Sequence, residues 1–91
     1  MIRRLTSVPA TDVLHHDEGA LVLMGERLIA LSLVGSAAYE LATDGIKGNE
    51  LAAALAELFG VPADADLVQL TNQVIDLLVA QGLLSVDEAS R

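Results

Sequence analysis

The chain contains no cysteine and no tryptophan, and it has one phenylalanine and one tyrosine. Without thiols there is no disulfide, no cysteine nucleophile and no zinc site built on sulfur ligands, which fits an intracellular, cytoplasmic protein. With aromatics at 2% of residues, binding affinity cannot come from stacking on rings. Basic residues are also scarce: they are Arg3, Arg4, Arg27, Lys47 and Arg91, and none lies between Gly48 and Ser90. Binding to a phosphate backbone depends on Lys and Arg displacing condensed counterions. The C-terminal half of a chain with net charge −8 is therefore repelled by nucleic acid.

Two further absences set the broad class. The basic start, "MIRRLTSVPATD", is not followed by the continuous apolar segment of a signal peptide. The most apolar window, Ala20 to Ala38, is interrupted by Gly25, Glu26 and Arg27, and each charge would cost about 2.5–3.5 kcal/mol at the centre of a bilayer. That interruption reads as a turn between strands, and the expectation is a soluble protein without a membrane partner. At 91 residues the chain suffices for one domain, with a core of Leu, Val, Ile and Ala.

The stretch Gly19 to Gly45 organises the rest, because its apolar period changes without a break. "DVLHHDEG" reads as an edge strand and a turn, "ALVLM" as a second strand, and "LIALS" as a third. These runs are apolar at consecutive positions, so both faces of the small sheet want cover. Ser32 is placed to cap a first helix whose inward stripe is Val34, Ala37 or Ala38, and Leu41, ending at Asp44-Gly45. A second helix, capped at Gly48, carries Leu51, Leu55, Leu58 and Phe59 and stops at Gly60, Val61 and Pro62. A third runs from about Ala65 to Gln81 with Asp64 or Asp66 at its start and Gly82 as its stop. Its core stripe is Leu67, Leu70, Val74, Leu77 and Leu78, and a thinner apolar stripe runs beside it through Val68, Thr71 or Asn72, Ile75 and Val79. The fold expected is α+β and winged-helix-like, a short three-stranded antiparallel sheet followed by three helices. The domain spans 12–84, between a flexible N-terminal tail of 1–11 and a C-terminal tail of 85–91.

No constellation for catalysis is present. His15 and His16 are adjacent, and neighbours on a strand point to opposite faces, so their rings do not converge on one metal. No Gly-x-Ser-x-Gly and no phosphate-cradling glycine loop occurs, and the hydroxyls are scattered. The chain is expected not to be an enzyme and to carry no metal and no cofactor. Ser36 lies in Gly35-Ser36-Ala37 inside a helix, unlike the helix-opening serine of a carrier protein. A winged-helix DNA reader would use the third helix, which holds Asp66 and Asp76 and no basic residue.

Four short motifs in register carry a family resemblance: Leu31-Ser32 at the step into the first helix, "YELATDG" at its end, Glu50-Leu51 opening the second, and Gly82-Leu83-Leu84 after the third. The chain resembles the PqqD family over roughly Val13 to Leu84, with Ser32 where the family has Asn. These are small winged-helix-like proteins also known as RiPP recognition elements. The resemblance implies a binding module that captures the leader segment of a ribosomally made precursor peptide and presents it to a modifying enzyme or leader peptidase. The leader would add as an extra strand beside the third strand. The implied site is the backbone of Arg27, Leu28, Ile29, Ala30 and Leu31, with Val68, Thr71, Asn72, Ile75 and Val79 as the far wall. The competing expectation is a structural or homodimerising protein that has no peptide ligand.

Overall fold

The computed structural model describes residues 2–61, 64 and 66–89. Along the chain run β1 (Ile2–Ser7), β2 (Asp12–His16), β3 (Gly19–Met24), β4 (Arg27–Ser32), α1 (Leu33–Leu41), β5 (Ile46–Lys47), α2 (Gly48–Phe59), α3 (Leu67–Ala80) and β6 (Leu84–Ala89). The strands form two antiparallel three-stranded sheets, β2-β3-β4 and β5-β1-β6, and the class is α+β. No helix among the described residues is long and apolar enough to cross a membrane.

The sheet β2-β3-β4 is a meander with two-residue turns. Met24 pairs with Arg27 across Gly25-Glu26. Gly25 has φ 62° and Glu26 has a negative φ, which suits a type II′ turn, whose twist matches that of the strands it joins. Gly19, at φ 145°, starts β3 against the end of β4, where an added Cβ would lie 1.9 Å from the Leu31 carbonyl oxygen. Only glycine lets β3 pass that close to the junction of β4 and α1.

The second sheet corrects the expectation of two tails. Residues 2–7 form its central strand, with Leu5 paired to Ile46 of β5 on one side and to Val86 of β6 on the other. Leu5 is completely buried, and a leucine so placed contributes about 2 kcal/mol to folding. The ordering has a simple cause, since Leu5 faces the core while Arg4, Lys47 and Asp87 share the opposite, exposed face. The partners lie some 40 and 80 positions away, so nothing local in 1–11 or 85–91 announces them.

The helices follow the expected order with altered limits. Ser32 Oγ accepts from Gly35 N–H at 3.1 Å and starts α1, which ends at Leu41, short of Gly45. In α2 the cap is Lys47, whose N–H donates to Glu50 Oε1 at 3.2 Å. Asp66 Oδ1 accepts from Val68 and Gln69 N–H to open α3. After Gln81, Leu83 N–H returns to the Leu78 carbonyl at 2.9 Å, closing the helix around Gly82. Pro62 and Ala65, expected near the ends of the second and third helices, lie outside the described residues.

The core joins Leu5, Val22, Ile29, Leu31, Tyr39, Leu51, Leu55, Ile75, Leu78 and Leu83 from both sheets and all three helices. Tyr39 is the joint between the sheets. Its hydroxyl donates to the Val8 carbonyl at 2.5 Å, and its own carbonyl accepts from Ser7 Oγ.

Candidate functional site

The two edges of the meander differ in chemistry. A two-residue turn closes on a hydrogen-bonded pair, and bonding alternates along an antiparallel ladder. Arg27, Ile29 and Leu31 therefore bond to β3, while Leu28 and Ala30 turn their N–H and C=O groups outward. No described residue meets those outward groups. The opposite edge, β2, is blunted: Val13 N–H is taken by Asp12 Oδ1 at 2.8 Å, and His15, His16, Asp17 and Glu18 crowd its end. Edge strands are ordinarily protected in this way by charge, and β4 has only Arg27, at its start.

Arg27 does not guard that edge. Its Nη2 donates to the Gln81 carbonyl at 2.8 Å, pinning the start of β4 to the end of α3. A guanidinium at a helix C-terminus also meets the negative end of the helix dipole. The Gln81 side-chain Oε1 is enclosed with no hydrogen-bond partner among the described residues. That places an acceptor in the residue that holds Arg27, a feature that the periodicity of α3 did not signal.

The far wall is built differently from expectation. On α3 the inward line is Thr71, Ile75 and Leu78, and Leu70 and Leu77 of the expected core stripe are exposed. Ile75 is 1% exposed and Thr71 3%, so neither side chain lines an open groove. The buried line runs between the two expected stripes, keeping Leu78 of one and taking Thr71 and Ile75 of the other, so the helix is turned by only part of the 100° per residue that separates them. Two overlapping apolar stripes left that rotation open, and Thr71 can face inward because its hydroxyl donates to the Leu67 carbonyl at 2.8 Å. Ile29 and Leu31 also give their side chains to the core, leaving only their backbones to the edge strand. Of the residues expected to form the wall, Val68 at 63% and Val79 at 38% are exposed, and Asn72 is half-buried between them. These three lie on one shoulder of α3. Val79, two residues before Gln81, lies at the end of the helix that Arg27 ties to β4, whereas Val68 is about 16 Å away along the helix axis.

The other shoulder of α3 faces α2. Between α1, α2 and α3 lies an apolar hollow of about 380 Å³ lined by Val34, Leu55, Phe59, Leu70 and Val74 among others. Thr71 is the one expected wall residue that borders it. His15 and His16 point to opposite faces of the meander, and His15 Nε2 lies 3.0 Å from Glu40 Oε1 on α1. Comparisons with protein-family models, curated proteins and solved structures find no match to this chain.

Proposed function

We propose that the chain is a PqqD-like module that binds the leader segment of a ribosomally made precursor peptide as an added strand on β4. The observation that carries this proposal is the asymmetry of the meander's edges. One is blunted by an aspartate cap and a run of charged and polar residues, and the other presents the outward backbone groups of Leu28 and Ala30. A guest of about five residues would pair along the strand, and its alternate side chains would fall on the two sheet faces. Those on the inner face would meet the end of α3 that Arg27 ties to β4, where Val79 is exposed. Backbone hydrogen bonds supply affinity in this mode, and the apolar neighbours select the side chains. The partners implied are the precursor and the enzyme that modifies or cleaves it.

The discriminating variant is Ala30→Pro. Ala30 sits in a non-bonded pair with Leu21, so proline removes an outward N–H without breaking the ladder to β3. Fluorescein-labelled leader peptides, taken from precursor reading frames near the gene, are titrated into wild type and variant. The expected result is binding by wild type and a loss of about tenfold or more in the variant, with unchanged circular dichroism. Equal binding by the two proteins would remove β4 from the site. A companion variant, Val79→Asp, tests the helix shoulder at an exposed position, where folding is not at risk.

A further inference from the structure

The meander has a second unpartnered surface, distinct from its edge. Register places Leu14, Leu21, Leu23 and Leu28 on the face turned away from the core: Leu14 lies opposite Leu21, and Leu23 opposite Leu28. The inner face, with Ala20, Val22, Ile29 and Leu31, is covered by the core. On the outer face Leu14 is 63% exposed and Leu28 67%. Leu21 and Leu23, half-buried between them, make the apolar surface continuous, and a continuous apolar patch marks an interaction surface more often than scattered apolar residues do.

The surroundings of this face specify its occupant. Asp12 is on the face itself, in the row of Leu23 and Leu28. Asp17 and Glu18 lie at the turn that ends one side of the face, and Glu26 at the turn that ends the other. All are exposed, and none of them has a described ion-pair partner. The nearest cation, Arg27, occupies the opposite face and is committed to Gln81. A second copy of the chain would bring carboxylates against carboxylates with no cation to answer them.

We infer that the outer face of β2-β3-β4 receives an amphipathic helix with an aliphatic stripe and Lys or Arg at both ends. Dimensions support this occupant. Three strands spaced by about 4.8 Å give a face roughly 10 Å across, and a helix with its side chains is about 10–12 Å wide. The acidic turns are about 20 Å apart, the length of a six-residue strand, which about 13 helical residues span. Leucines then bury against leucines along the middle while cations meet Glu26 and Asp12 at one end and Asp17 and Glu18 at the other. The surface is independent of the edge, since a strand adds beside β4 and a helix lies across the leucines. A precursor or a processing enzyme could supply the helix, and the chemistry required of it is the same.

The test uses the full chain and a synthetic helical peptide of about 14 residues with a leucine stripe and lysines at both ends, beside a twin ending in glutamates. Methyl NMR is expected to show shifts at Leu14, Leu21, Leu23 and Leu28 with the lysine peptide. Binding should weaken about tenfold in Leu28→Lys and again as salt is raised, and the glutamate twin should not bind. Leu14→Lys gives an independent check at the opposite edge of the face. Equal binding of the two peptides would overturn the inference, as would shifts confined to the hollow between α2 and α3. Concentration-dependent self-association that Leu28→Lys abolishes would assign the face to a second copy instead. Binding to phosphatidylcholine vesicles with no response to the peptide would assign it to a lipid surface.

Discussion

The two sheets of this protein differ in what their outer faces carry. The sheet β5-β1-β6 pairs residues across nearly the whole chain, with β6 as a free edge among the described residues, and its outer face carries Arg4, Lys47 and Asp87, side chains suited to water. The meander β2-β3-β4 is built from neighbours in sequence, yet it leaves one edge unpaired and one face covered with leucines. Leu14 and Leu28 bury little there, so folding stability does not require leucine at those two positions, whereas Leu21 and Leu23 between them are half-buried. The contrast separates a sheet whose outer face already suits water from one whose outer face does not.

Substitutions at four positions test this contrast. The largest effect is expected from Gly19→Ala, because its Cβ would stand 1.9 Å from the Leu31 carbonyl oxygen at a backbone that disfavours any side chain. A loss of about 4 kcal/mol in urea unfolding is expected, and a loss under ~1 kcal/mol would show that the junction of β4 and α1 yields. Leu5→Ala empties a fully buried position in the terminal sheet and should cost about 3 kcal/mol by the same measurement. If it were neutral, β1 would be dispensable.

Tyr39→Phe cuts the hydroxyl link to Val8 between the sheets and is expected to cost about 1 kcal/mol. Burial raises the Tyr39 phenol above its ordinary 10.0, partly offset by a backbone hydrogen bond from Ala10. The folded chain thus keeps this proton to higher pH than the unfolded chain. Its contribution is complete below pH 10 and is lost as pH rises through the folded value. Thermal melts at rising alkaline pH should decline more steeply in wild type than in Tyr39→Phe. The smallest effect is expected on the bare face, where Leu14→Ser should change stability by less than ~0.5 kcal/mol. A large loss there would mean that the face is already covered.

Legibility followed the range of the interactions. The meander was readable because each strand pairs with its neighbour across a two-residue turn, and Gly25-Glu26 lies where the apolar run is interrupted. The cap at Ser32 was readable for the same reason, since a cap acts within three residues, whereas the sequence left the start of α3 between Asp64 and Asp66 and placed the cap of α2 one residue late, at Gly48. In α3 the residues offered two stripes one position apart, and local periodicity assigns them no order of depth. Contact with α1, α2 and the sheets selected Thr71, Ile75 and Leu78, and so removed Thr71 and Ile75 from the open wall of the candidate site.

Residue types and their local spacing were enough for the α+β class, for three helices in order after a hairpin-linked sheet, and for an acidic chain poor in the basic groups that hold phosphate. Each of these depends on residue type and on spacing over a few positions. Only the tertiary structure decided that residues 2–7 and 84–89 form a sheet, which way α3 is turned, and which leucines of the meander lie outside. Those outcomes depend on which distant surfaces meet. A strand that is apolar on both sides is told which side is the core only by the elements that pack against it.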